Sequence, residues 1–146
     1  MNIAMILAGG VGSRLGAAIP KQFIPVRGKP IIIHTLELFQ NDPEIDAIEI
    51  VCIRSHMDTI REMTSQYGIT KLRWVCEGGS SYQESVINGM NYLDPYCSDE
   101  DIVLIHFAVS PFVDEEIIND SIAVCKAHGN GISTNDSVLC LCTKDP

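Results

Sequence analysis

Residues 5–16 read Met-Ile-Leu-Ala-Gly-Gly-Val-Gly-Ser-Arg-Leu-Gly, and Pro20-Lys21-Gln22 follows shortly afterwards. A short apolar run here enters a glycine-rich turn, which two cations, Arg14 and Lys21, accompany. Glycine lets the backbone approach a ligand closely, and fixed positive charge beside such a backbone suits a polyphosphate. The stretch therefore predicts a buried strand that ends in a phosphate-binding turn.

The charge of the chain is distributed unevenly. The first 36 residues hold four basic side chains and no Asp or Glu, although the whole chain has a net charge of −9. A pI near 4.7 argues against a nucleic-acid or anionic-membrane partner, because both need a basic face. The local positive charge instead indicates a nucleotide triphosphate site. A purely structural turn would explain the glycines but not the two cations.

Length and composition predict one globular domain over residues 1–146. Apolar residues make up 46% of the chain and charged residues 20%. No charged-then-apolar leader opens the sequence, and no apolar run approaches the roughly 20 residues that cross a bilayer. We therefore expect a cytoplasmic protein without a membrane partner. The six cysteines show no C-x-x-C spacing, so we expect free thiols and no protein metal site.

Apolar runs of strand length alternate with segments of helical period. Strands are predicted at 3–7, 47–53, 72–76 and 102–106, with further strand-like runs at 132–134 and 138–143. Helices are predicted at 31–39, 58–67, 82–93 and 114–128. Pro30 is expected at the first helical position, and Asp114 is expected to cap the last helix.

This alternation predicts an α/β fold, a Rossmann-like and mostly parallel sheet with helices on both faces. Ligands of such sheets bind beyond the carboxyl ends of the strands. The loops at 8–21, 77–83 and 106–113 should therefore form the site. The first loop is not a P-loop, because no Gly-Lys-Ser/Thr closes it, and Leu15 interrupts a dinucleotide fingerprint.

The motif Leu7-Ala-Gly-Gly-x-Gly-x-Arg14, followed by Pro20-Lys-Gln-Phe23, resembles the signature of the methylerythritol-phosphate and ribitol-phosphate cytidylyltransferase family. Segments 29–35, 77–86 and 106–112 resemble later motifs of that family in the same order. The resemblance implies a nucleotide-diphospho-sugar transferase-like fold. It also implies CTP and a small phosphorylated polyol or sugar as partners, with Mg²⁺ bound together with CTP.

The resemblance also implies roles for individual residues. Arg14 and Lys21 fall on the cations that stabilise the transition state in the family. The implied nucleotide-binding positions are Leu7, Ala8, Gly9, Gly10, Val11, Gly12, Gly79, Ser80, Ser81, Tyr82, Gln83 and Ser85. The implied substrate-side positions are His106, Ala108 and Ser110, of which we read His106 as orienting its loop rather than acting as a base. The implied reaction is attack of an acceptor phosphate oxygen on the α-phosphorus of CTP, with no protein nucleophile.

Three positions depart from the family pattern. The family usually has Asp where this chain has Phe107, and Arg where it has Ser110 and Tyr82; the Asp helps to hold Mg²⁺. The family's C-terminal portion is also not among these 146 residues. Two alternatives therefore stay open, a noncatalytic CTP-binding module and a nucleotidyltransferase that uses another nucleotide. A homodimer is the assembly we consider.

Overall fold

The computed structural model describes residues 1–10 and 19–134, which form six strands and four α-helices. The strands are β1 (Asn2–Leu7), β2 (Pro25–Val26), β3 (Lys29–Pro30), β4 (Ala47–Cys52), β5 (Leu72–Glu77) and β6 (Ile102–Phe107). The helices are α1 (Ile31–Asn41), α2 (Met57–Gln66), α3 (Tyr82–Leu93) and α4 (Glu115–His128). The four long strands and the four helices predicted up to residue 128 are confirmed.

The long strands form one parallel sheet in the order β5-β4-β1-β6. Helices α1, α2 and α4 pack against one face of this sheet, and α3 packs against the other. The prediction of helices on both faces is confirmed. Because β1 is buried on both sides, it reads as a continuous apolar run instead of alternating with polar residues.

Capping residues define the ends of the helices. Asp114 accepts a hydrogen bond from the backbone N–H of Ile117 at 2.9 Å and caps α4, as predicted. Beyond α2, Gly68 adopts a left-handed φ of 69°. None of the four described helices is both long enough and apolar enough to cross a membrane.

Three details differ from the sequence predictions. A small antiparallel hairpin joins β2 and β3, turning at Arg27 and Gly28 with φ values of 51° and 81°. Such two-residue turns need positive φ at both positions and favour glycine, so the Arg-Gly pair was the overlooked signal. Pro30 pairs in β3 and caps α1, so it does not occupy the first helical position that was expected.

The strand predicted at 132–134 is wrong, because these residues have no regular secondary structure. Three residues after the Asn130-Gly131 pair are too few to identify a strand without a pairing partner. The strand predicted at 138–143 lies outside the described residues.

Candidate functional site

The end of β1 is fixed in place by hydrogen bonds on both sides of Ala8. The Ala8 N–H donates to the carbonyl of Val51 at 2.7 Å. The Ala8 carbonyl accepts a hydrogen bond at 3.0 Å from Nε2 of Gln22, which is 1% exposed. Sequence reasoning missed this role of Gln22, although the residue belongs to the Pro-Lys-Gln motif. The glycine turn therefore begins from a rigid point.

Lys21 directly precedes Gln22 in the chain. Both lie in a short 3₁₀ turn over Lys21–Phe23. A Cβ atom at position 10 would lie 3.3 Å from Cε and 3.8 Å from Nζ of Lys21, so the ammonium group lies beside Gly10. Within residues 1–10 and 19–134, no carboxylate pairs with Lys21, whereas Lys29 pairs with Glu37 at 2.6 Å. The charge of Lys21 is therefore available to a ligand.

The loop before α3 is ordered by its own side chains. Ser81 caps the helix by accepting the N–H of Glu84 at 3.1 Å. The Glu84 carboxylate accepts from the backbone N–H and the hydroxyl of Ser80, and these bonds lower the pKa of Glu84. The buried Ser85 hydroxyl donates to the carbonyl of Ser81 at 2.8 Å and accepts from the N–H of Gly79 at 3.1 Å. These hydrogen bonds fix the conformation of the loop.

Ser85 also joins this loop to the glycine turn. A Cβ atom at Gly9 would lie 3.9 Å from Ser85 Oγ, and one at Gly78 would lie 2.9 Å from it. A Cβ atom at Gly79 would overlap Cβ of Glu84. Glycine is therefore needed at 78 and 79 for this loop to pack against the first turn of α3. The structure thus brings the described residues of both loops, among them Gly9, Gly10, Gly79 and Ser85, to one edge of the sheet.

The third loop follows β6, and its contacts are internal to the protein. The Ala108 N–H donates to the carbonyl of Leu7 at 3.0 Å, and the Thr35 hydroxyl donates to the Ala108 carbonyl at 2.9 Å. The His106 ring lies 5.2 Å from that of Phe39, and its Nε2 is 2.9 Å from the carbonyl oxygen of Ser110. This geometry favours a loop-orienting role for His106.

Tyr82 and Phe107 contact each other at the same edge. Their ring centroids are 5.7 Å apart, with the ring planes inclined by 40°. Two of the three residues that depart from the pattern of the resembling family are thus in contact. Gln83, another predicted nucleotide-binding residue, lies exposed in the first turn of α3. Val11, Gly12 and Arg14 lie outside the described residues.

The carboxylates near this edge are engaged with protein groups. Arg54 donates through Nε to Glu77 at 2.9 Å, and this hydrogen bond lowers the pKa of Glu77. Glu84 is bonded to Ser80. No group of three or more His, Cys, Asp or Glu side chains in the described part of the chain could hold a metal ion. Among the described residues, the site therefore combines close backbone, hydroxyl groups and the unpaired cation of Lys21.

Known proteins share this sequence and this fold. Residues 2–141 match the family described as IspD, 2-C-methyl-D-erythritol 4-phosphate cytidylyltransferase. A ribitol-5-phosphate cytidylyltransferase from Lacticaseibacillus paracasei is 44% identical over 134 residues, which cover 92% of this chain and 57% of that protein. A 2-C-methyl-D-erythritol 4-phosphate cytidylyltransferase from Geotalea uraniireducens is 39% identical over 131 residues, covering 88% and 55%.

A solved structure shows the same relationship. The 4-diphosphocytidyl-2C-methyl-D-erythritol synthase from Anaerococcus prevotii superposes with a TM-score of 0.68 at 28% identity, covering 86% of this chain and 51% of that one. The chain thus spans a little over half the length of the curated relatives it matches. Because the family match extends over residues 2–141, the chain belongs to the 2-C-methyl-D-erythritol 4-phosphate cytidylyltransferase family.

Proposed function

We propose that this chain carries the CTP-binding part of a cytidylyltransferase, which transfers CMP from CTP to a small sugar or polyol phosphate. The observation that carries this proposal is the position of Lys21, unpaired with any described carboxylate and held beside Gly10. Ala8, at the start of the same turn, is fixed by Gln22. A pre-positioned cation beside close backbone is what the phosphates of a nucleotide require.

The proposed reaction exchanges one phosphorus–oxygen bond for another. An oxygen of the acceptor phosphate attacks the α-phosphorus of CTP, and the bond from that phosphorus to the bridging oxygen breaks. Pyrophosphate leaves with the electron pair of that bond. Positioning and neutralisation of the developing charge supply the catalysis, so no protein nucleophile is needed. Lys21 is proposed to neutralise part of this charge, together with Arg14.

The loop at 79–85 is proposed to bind the nucleoside. Its serine hydroxyls and backbone groups can donate and accept hydrogen bonds, which is what base and ribose recognition needs. Ser85 connects this loop to Gly9, so nucleoside and phosphates would bind side by side. The N-terminus of α3, a helix of 12 residues, also favours negative charge nearby.

The described side chains do not fit a Mg²⁺ ion held by the protein itself. Mg²⁺ commonly takes one or two carboxylates plus substrate phosphates. Here Glu77 is paired with Arg54, Glu84 is bonded to Ser80, and Phe107 ends β6. We therefore propose that Mg²⁺ arrives with the phosphates of CTP, and no step above is assigned to it.

A noncatalytic CTP-binding module is the second candidate. The contact between Tyr82 and Phe107 favours it, because the resembling family usually has a cation and a carboxylate at these positions. A neutral pair supplies neither metal ligation nor phosphate neutralisation. The site would then keep its affinity for CTP while losing rate. Use of another nucleotide in place of CTP is tested by the same titrations.

The acceptor is proposed from the relatives. Proteins named for ribitol 5-phosphate and for 2-C-methyl-D-erythritol 4-phosphate both match this chain, so a short polyol phosphate is the proposed acceptor class. We place the protein in the cytoplasm, where CTP is made and used. A homodimer is the proposed assembly, to be measured by sedimentation.

The test separates binding from turnover. Titration calorimetry of the 146-residue chain should show CTP binding, and pyrophosphate release should be measured with ribitol 5-phosphate and with 2-C-methyl-D-erythritol 4-phosphate. Release that requires both CTP and one acceptor supports the enzyme. Binding without release supports the noncatalytic module, and absence of CTP binding contradicts both. Equal affinity for ATP and CTP would contradict a cytidine preference.

A further inference from the structure

Tyr82 and Phe107 form an exposed aromatic pair at the carboxyl edge of the sheet. Tyr82 is 50% exposed and Phe107 is 53% exposed, although their ring centroids are only 5.7 Å apart. Contacting aromatic rings attract each other beyond the area that they bury. The two rings therefore hold one another in position while presenting apolar surface outward.

The pair adjoins the glycine turn. Phe107 is in register with Leu7, the last residue of β1. Tyr82 begins α3, and one turn later Ser85 approaches Gly9. Gly10, the next residue, lies beside Lys21. The order along this edge is therefore aromatic surface, glycine backbone and then cation.

A nucleotide has the same order of chemical groups, since its planar base is joined through a sugar to its phosphates. We infer that Tyr82 and Phe107 act together as a stacking platform for the base of a nucleotide whose phosphates lie at the glycine turn and Lys21. The inference rests on the proposed function, gives Tyr82 a specific stacking role in it and adds Phe107 as a ligand-contacting residue. Every base has a π-face, so stacking contributes affinity without selecting among bases. Selection of cytosine then depends on the polar groups of the loop at 79–85.

The surroundings of the pair suit a neutral ring. The carboxylate of Glu84 is bonded to Ser80, and that of Glu77 is paired with Arg54. Lys21, beside Gly10, provides positive charge at the other end of this row of groups. Because the ring planes are inclined by 40°, a base can stack on the face of one ring while the other ring borders it.

The test compares CTP, UTP and inorganic tripolyphosphate by titration calorimetry without added metal. Tyr82→Ala and Phe107→Ala should each weaken nucleotide binding, roughly 5- to 100-fold. In each variant the loss should be the same for CTP as for UTP. Neither substitution should change the affinity for tripolyphosphate, which has no ring to stack. The double substitution should weaken CTP binding by less than the product of the two single factors, because each ring needs the other.

Matched variants separate stacking from support of the fold. Tyr92 lies in the same helix, is 43% exposed and contacts Tyr96 at 6.3 Å between ring centroids. Tyr92→Ala should leave CTP binding unchanged. Tyr82→Phe should keep the affinity, and Tyr82→Leu should lose it. Because Tyr82 is half-exposed at the start of α3, its variants should fold even if those of Phe107 do not.

Three outcomes are decisive against the platform. If Tyr82→Ala binds CTP and tripolyphosphate as the unsubstituted chain does, the stacking inference is wrong while the proposed function stands. If the unsubstituted chain binds neither ligand, the proposed function and the inference fail together. A loss of tripolyphosphate affinity equal to the loss of CTP affinity would assign Tyr82 a structural role and overturn the inference.

Discussion

The rings of Tyr82 and Phe107 meet with their centroids 5.7 Å apart, which joins the start of α3 to the end of β6. The resembling family usually has Arg and Asp at these positions. In this chain the contact therefore places apolar surface where the family pattern has charge. A substitution at either position tests metal binding and ring binding together.

Phe107→Asp should make CTP binding depend on Mg²⁺. A carboxylate at the end of β6 would supply the metal ligand that the described residues lack. Without metal the variant should bind CTP more weakly than the unsubstituted chain, and with Mg²⁺ it should bind more tightly. Because Phe107 is 53% exposed, the cost in stability should be only about 1 kcal/mol. Calorimetric titration with EDTA and with Mg²⁺ measures both effects.

Ile105→Asp is the matched control for that variant. Ile105 is 43% exposed on the same strand and two positions before Phe107. CTP binding by Ile105→Asp should gain no dependence on Mg²⁺, because residue 105 lies further than residue 107 from the carboxyl end of β6. Tight Mg²⁺ binding by the unsubstituted chain without nucleotide would show that the metal site lies elsewhere.

Lys21→Ala should slow turnover far more than it weakens CTP binding. Its charge is needed most when negative charge accumulates in the transition state, and loss of one such donor costs on the order of 10²–10³ in rate. The measurement is acceptor-dependent pyrophosphate release by an active, full-length form. Lys29→Ala is the control, because Lys29 is already paired with Glu37. Near-normal turnover by Lys21→Ala would contradict the assigned role.

Gly10→Val should abolish CTP binding and leave the fold intact. A Cβ atom at this position would lie 3.3 Å from Cε of Lys21, so a branched side chain would displace the lysine and fill the phosphate space. Gly10→Ala should show a smaller loss, since only one carbon is added. Calorimetry with CTP measures the binding, and circular dichroism checks the fold. Unchanged CTP affinity in Gly10→Val would remove the turn from the site.

Gln22→Leu should lower both stability and CTP affinity. The substitution leaves the Ala8 carbonyl without its buried donor, which costs about 1–3 kcal/mol. The start of the glycine turn would then lose one of its two fixed points. Gln40→Leu is the control, because Gln40 bonds Thr70 and Lys71 away from the site. Gln40→Leu should lower the free energy of unfolding without changing CTP affinity. An equal loss of CTP affinity in Gln22→Leu and Gln40→Leu would refute the positioning role of Gln22.

Glu49 should make the stability of the protein fall as pH rises. Its carboxyl group is fully buried, and burial raises its pKa from 4.5 to about 7 against a smaller opposing effect of the Cys76 side chain. The folded state therefore holds a proton that the unfolded state releases at lower pH. The stabilisation is fully present below pH 4.5 and is lost as pH rises through 7.

Glu49→Gln should remove this dependence, because the amide does not titrate. Relative to the variant, the unsubstituted chain should lose on the order of 3 kcal/mol of unfolding free energy between pH 4 and pH 8. Urea unfolding at a series of pH values measures the difference. A constant difference between the two proteins across this range would show that Glu49 keeps its ordinary pKa.

The strands and helices could be predicted because their signals are local. The apolar run of β1 and the alternation of strands with helical segments depend on residues close in sequence. The hairpin of β2 and β3 was overlooked because its strands have two residues each, too short for any period. The strand expected at 132–134 failed for the related reason that a short apolar run does not specify a pairing partner.

The sequence by itself determined the parallel α/β sheet and the glycine turn with its cation at the end of the first strand. Periodicity, glycine and the absence of nearby acids are all readable along the chain. Only the tertiary structure decided which groups are available. It paired Lys29 with Glu37 but left Lys21 without a described carboxylate, and it joined Tyr82 to Phe107. Such contacts depend on how distant segments pack, and a linear order of residues does not encode that directly.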